Sequence, residues 1–221
     1  MSAVALLLAD SRFPAGGYAH SLGLEQAVAD GLGVDGVASF IGARLRLIAR
    51  ADAALSVAAR RATVAGDDAE LASLDDEHAA RCPNPVLRCT AHRLGAQLLR
   101  SAAAVWPCPT IERYRVLSGT TPRPIALGVV GAAAGLDDTE VATIALYDDA
   151  ATVAGAALKL LGLDPADATR WVARLAPEID LVARAIVRDE RPIAEQPPPA
   201  AVGLELAASV HAGRTERFFA S

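Results

Sequence analysis

Four side chains near the middle of the chain, His78, Cys82, Cys89 and His92, are of the types that ligate transition metals. His78 and Cys82 are four apart and Cys89 and His92 three apart, so each pair falls on one helix face. Two nitrogens and two thiolates suit tetrahedral zinc. Against this, Pro83 and Pro85 separate the pairs, and the spacing matches no standard zinc module. A surface histidine and core thiols account for the same residues. A His/Cys metal enzyme or sensor is therefore the alternative reading, and no metal site is expected. Nucleophilic catalysis needs a Ser or Cys beside a positioned base. His20 and Ser21 are neighbours in sequence, but adjacency does not align a dyad. There is no Gly-x-Ser-x-Gly, no Walker-type phosphate loop and no dinucleotide fingerprint. The expectation is a protein without catalytic residues.

The densest gathering of polar, aromatic and turn-forming residues runs from Asp10 to Glu25. Asp10 and Ser11 suit a turn in which side chains bond nearby amides. Pro14 lacks an N–H and pushes Phe13 out of helix geometry. Gly16 and Gly17 permit a tight turn. Ser21 is placed to cap a following helix, with Glu25 in its first turn. The pattern is helix, constrained corner, helix, with Tyr18 and His20 at the corner.

The elements that position this corner read as helices. Residues 2–9 form a short apolar helix, and residues 21–30 a second, stopped by Gly31 and Gly33. Residues 35–65 form one long helix with Val37, Ile41, Leu45, Ile48 and Leu55 on a stripe that Asp52 interrupts. Asp52 is expected to pair with an arginine of a neighbouring helix. Arg44, Arg46, Arg50, Arg60 and Arg61 read as a solvated face. Further helices are expected at 67–80, 84–105, 111–118, from Pro124 onward, and at 137–161, 164–188 and 203–210. Gly95 and Gly128 imply close helix approach. Nothing shows sustained period-two alternation. The fold class is all-α: a single-domain bundle of about eight to ten helices over 1–195. A Pro-rich break and a partly flexible C-terminal tail follow over 196–221. The apolar pair Phe218-Phe219 in that tail must either fold back onto the domain or be ordered by a partner.

The 221 residues suffice for one substantial core, and at 52% hydrophobic with 4% aromatic that core is mostly Ala, Leu and Val. A net charge of −5 argues against nucleic-acid binding. Three cysteines make no disulfide framework. The apolar run at Val4–Leu8 lacks a preceding basic region, and no stretch reads as a membrane span, so a cytoplasmic protein is expected.

The order Leu8-Ala9-Asp10-Ser11-x-Phe13-Pro14-x-Gly16-Gly17-Tyr18-x-His20-Ser21-x-Gly23-Leu24-Glu25 resembles the N-terminal signature of the urease accessory protein UreF family. Leu87-Arg88 followed by Arg93-Leu94-Gly95 is similar to a second family segment. Pro122 to Gly131 is similar to a third, in which many relatives carry His where Arg123 stands. The end, His211 through Arg217-Phe218-Phe219-Ala220-Ser221, resembles the family's C-terminus, with Ala212 replacing Glu and Phe218 replacing Leu. The resemblance implies a non-catalytic scaffold or chaperone. It would bridge UreD (UreH in some systems) and the GTPase UreG on apo-urease for GTP-dependent nickel insertion. Nickel is then cargo, GTP belongs to the partner, and the chain has no cofactor of its own. The resemblance further implies partner-binding roles for Tyr18, His20, Glu25, His211, Arg217, Phe218, Phe219 and Ser221. It also implies a homodimer with Tyr147 as a contact candidate. For Arg217, an arginine finger toward GTP is set against a plainer role, hydrogen bonding that ties the tail to the Tyr18 corner; the plainer role is preferred.

Overall fold

Helix starts in this chain are written in side chains that accept backbone amides. Ser2 Oγ accepts from Ala5 at the start of α1 (Ala3–Ala9). Asp67 caps α5 (Asp68–Arg81), and Asn84 with Pro85 opens α6 (Pro85–Val105). Asp137 and Glu140 form a reciprocal capping box at α9 (Asp138–Leu161). Asp164 with Pro165 opens α10 (Pro165–Arg188). The remaining helices are α2 (Leu24–Ala29), α3 (Val34–Arg44), α4 (Arg50–Ala65), α7 (Pro109–Leu117), α8 (Arg123–Ala133) and α11 (Val202–Ala212). The computed structural model describes residues 1–117 and 121–220. Among them there is no strand, and the chain is an all-α bundle.

Two helices form the centre. Pro124 to Gly131 of α8 are all buried. This helix packs on α4 and α6, and α9 packs on α4 and α10. The close approaches expected at glycines are present. A Cβ on Gly128 would overlap the Ser56 carbonyl of α4, and one on Gly95 the Thr121 carbonyl ahead of α8. The alanine face of α9 (Ala150, Ala154, Ala157) is buried in this core, while Tyr147 is 39% exposed. By length and composition α9 is apolar enough to cross a membrane, but 56% of its most apolar window is buried inside the bundle.

Three sequence expectations are corrected. The long helix over 35–65 is not uniform: a π turn at Leu45–Ala49 joins α3 to α4. A π turn adds a residue to the helical ladder, so the buried stripe passes from Leu45 to Ala49 and then Ala53, leaving Ile48 only partly covered. Second, α2 begins at Leu24 behind Gly23, not at Ser21. Ser21 Oγ still accepts the Glu25 amide at 3.3 Å. Third, the arginines are not simply solvated. Arg44 is buried against Asp149, and Arg60 and Arg61 both bond Asp138. Arg61 also donates to the Val187 carbonyl, so α4 grips the start of α9 and the end of α10.

Candidate functional site: the corner and the docked tail

The corner is held by α6 and α9. Phe13 is buried and stacks on Trp106 with ring centroids 5.8 Å apart. The Pro14 carbonyl, carried by a residue that cannot donate, accepts from Gln97 Nε2 at 2.9 Å and Ser101 Oγ at 2.7 Å. Gly16 takes a φ of +85°, and Gly17–Ala19 make one 3₁₀ turn. His20 is buried. Its pKa is held below the usual histidine value by burial first, then by the charges of Arg93 and Arg123. Leu22 has a φ of +54°, the only positive value for a non-glycine among the described residues.

Glu25, on the first turn of α2, organises the other half. Its buried carboxylate accepts from His211 Nε2 at 2.9 Å, the Phe218 amide at 2.8 Å and the Phe219 amide at 3.0 Å. Burial pushes this carboxyl up. The Phe218 amide, His211 and the Phe219 amide outweigh that and hold it below the ordinary value. The Ala220 amide donates to the Ala19 carbonyl at 2.8 Å, so the tail closes directly onto the corner. Lys159, the sole lysine, lies 5.1 Å from the Phe219 ring centroid and donates to the Tyr18 carbonyl at 3.4 Å. Of the two courses open to the tail, folding back is the one observed.

The structure therefore sorts the sequence-derived residues into two groups. His20, Glu25, His211 and Phe219 are buried and build the joint. Tyr18, at 73% exposed, and Phe218, at 84%, project outward beside it with the exposed Arg217. Arg217 makes no ion pair among the described residues; Glu25 and His211 do the tying that was expected of it. Ser221 lies outside the described residues.

Sequence reading missed Arg44. Its guanidinium bonds both oxygens of Asp149, at 3.1 and 2.5 Å, and donates from Nη1 to the Leu22 carbonyl at 2.9 Å. The signal was present in Asp148-Asp149, two acids in the middle of an apolar helix. Asp148 in turn accepts from Arg123 at 2.8 Å. At the position where a ring nitrogen was in question, the chain thus has a charge pair.

The His/Cys quartet does not assemble. His78 and His92 stand edge to face, centroids 6.1 Å apart, while Cys89 is exposed. The Cys82 thiol is pushed up to about 11 by burial and by Asp52 and Glu205. No group of three or more His, Cys, Asp or Glu among the described residues is arranged to hold a metal ion.

A sequence model of the family described as UreF matches residues 33–176. The urease accessory protein UreF of Mycobacterium sp. (strain JLS) is 33% identical over 218 residues, covering 98% of this chain and 97% of its own. The UreF of Mycolicibacterium vanbaalenii is 35% identical over 177 residues, covering 79% and 80%. That of Mycobacterium bovis (strain BCG / Pasteur 1173P2) is 38% identical over 172 residues, covering 76% of each chain.

Proposed function

The chain belongs to the UreF family of urease accessory proteins, and on that premise we propose that it serves urease maturation as a non-catalytic scaffold. It bridges a UreD/UreH-type protein and the UreG GTPase on apo-urease. Nickel is the cargo of the complex and GTP belongs to the GTPase, so the chain needs no cofactor. Its place of work is the cytoplasm. The observation that carries this reading is the joint at Glu25. A buried carboxylate commits three hydrogen bonds to a short tail, and the result is a surface on which Tyr18, Arg217 and Phe218 stand exposed around the Ala19–Ala220 contact. An exposed aromatic pair with an arginine has the composition of a binding hot spot. His20, Glu25, His211 and Phe219 position that surface, and the outer side of α9 around Tyr147 forms a homodimer contact.

The test is a pull-down with the UreD-like and UreG-like proteins of the same organism, comparing the full chain with one truncated before His211. Both partners bind the full chain, and truncation abolishes recruitment of the GTPase. Failure of both partners to bind under every nucleotide condition would reject the scaffold role. Arg217→Ala separates a binding contact at the exposed surface from an arginine finger. Partner binding is lost while GTP turnover by bound complexes is unchanged; lost turnover with intact binding would instead mark Arg217 as a finger. For the dimer, Tyr147→Ala is compared with the natural chain by sedimentation; an unchanged dimer removes Tyr147 from the contact.

A further inference from the structure

Asp52 interrupts the apolar stripe of α4, and neither the corner nor the tail uses it. It lines a partly open cavity of about 180 Å3 together with Arg44, Arg123, His78, Cys82 and His211. Its carboxylate has no hydrogen-bond donor among the described residues; the charges acting on it are those of Asp149, Arg44 and Arg123. Two ion pairs border the same cavity, Arg44–Asp149 at 2.5 Å and Arg123–Asp148 at 2.8 Å. Arg44 has a second bond, to the Leu22 carbonyl. Leu22 sits in the left-handed region, which residues with a Cβ rarely adopt, and Gly23 beside it starts α2. One guanidinium thus joins the cavity to the backbone that sets up Glu25.

We propose that the charge on Asp52 governs how firmly Arg44 holds the Leu22 carbonyl, and through α2 and Glu25 how firmly the C-terminal tail stays docked. With Asp52 neutral, Arg44 and Arg123 at the cavity are matched by Asp149 and Asp148, and Arg81, the third arginine lining it, pairs with Glu77. With Asp52 ionised, a third carboxylate repels Asp149 and competes for Arg44 where water screens poorly. Other groups face the cavity from the surrounding elements: His20 from the corner, His78, Arg81 and Cys82 from α5 and its end, and Glu205 and His211 from α11. Burial, then Asp149, pushes the Asp52 carboxyl up to about 7, with Arg44 and Arg123 opposing. His78 is pushed down to about 4 by burial and by the charges of His92 and Arg88, so it stays neutral near pH 7. Cys82, at about 11, does the same. At about 7, the Asp52 carboxyl changes its charge across neutrality.

The consequence for partners rests on the corner and tail being the docking surface; the coupling itself does not. Hydrogen exchange read by mass spectrometry on the free full-length protein tests the coupling. Peptides covering α2 and residues 211–220 are followed between about pH 6 and pH 8, with intrinsic exchange rates divided out. In the natural protein, tail protection falls by about tenfold toward the higher pH, while Asp52→Asn keeps the protected level throughout. Any contribution from other groups at the cavity is common to both proteins. Equal profiles in the two, or a flat profile in the natural chain, overturn the coupling. Arg44→Lys keeps the charge but loses the fork that reaches Asp149 and Leu22 together, so its tail is unprotected at both ends of the range. A fully protected tail in that variant overturns the route through Leu22. Pull-downs at the same pH values complete the separation. Exchange that depends on Asp52 with no partner bound at any pH rejects the docking surface and leaves the coupling standing.

Discussion

One carboxylate, Glu25, decides whether the last residues of this chain are structure or tail. Its three donors come from residues 186 to 194 positions away. Glu25→Ala leaves two amides and a histidine without an acceptor, each costing about 1–3 kcal/mol if it stayed buried. Undocking lets water satisfy them, so the loss falls on the tail and not on the bundle. The expected outcome is trypsin cleavage after Arg214 and Arg217 accelerated at least about tenfold, with a melting temperature within a few degrees of the natural protein. Unchanged cleavage would mean that Phe219 and Lys159 hold the tail without Glu25. The pH direction follows from the lowered pKa. Glu25's contribution is present above the ordinary carboxylate range and is lost as pH falls through its value in the folded protein, so acid releases the tail. The residue types of this site were legible: a signature dense in Tyr, His and Glu, and a tail ending in aromatics. The pairing of Glu25 with His211 was not. Nothing in a sequence pattern couples positions so far apart when each has several chemically reasonable partners.

At the scale of elements, helix existence was legible because Pro, Asn, Asp and Gly punctuate the chain where backbone groups need partners. The π turn at Leu45–Ala49 was not, because the apolar spacing through it also fits an uninterrupted α-helix. The α4–α8 contact offers a sharp test of packing. At Gly128 an added methyl meets backbone, Ser56 O and Arg60 N, which cannot rotate away. Gly128→Ala is expected to destabilise the protein by about 2–3 kcal/mol. Gly155, also inside a helix, has nothing within 4 Å of a built Cβ. There alanine's better helix propensity acts alone, and Gly155→Ala stabilises by up to about 1 kcal/mol. Urea denaturation reads both as opposite shifts in midpoint at constant slope. A neutral Gly128→Ala would show that α4 and α8 can separate freely, contrary to their close backbone approach.

Across the whole molecule, Asp52 puts a pH dependence into folding that runs against the usual acid denaturation. The sequence marked it as an acid on an apolar stripe and anticipated an arginine partner. Two arginines are indeed nearby, but both are engaged by Asp148 and Asp149, so Asp52 is left in their field without a bond. Its folded pKa, about 7, lies above the ordinary aspartate value of 3.8. The folded state therefore holds the proton more tightly than the unfolded chain. The contribution of this group is fully present below about pH 4, declines as pH rises, and is gone above about pH 7. At about 1.4 kcal/mol for each tenfold difference in proton affinity, the decline amounts to at most about 4 kcal/mol, and less where the cavity admits water. Asn at the same position cannot ionise and escapes it. Asp52→Asn and the natural chain are thus expected to melt close together near pH 4 and to diverge steadily toward pH 8, the variant melting several degrees higher. Glu25 contributes with the opposite sign, but in a more acidic window, so the two effects separate on the pH axis. A constant difference between the two proteins from pH 5 to pH 8 would mean that Asp52 is ionised throughout, with its charge met by water in the cavity, and would remove the electrostatic basis for coupling the cavity to the tail.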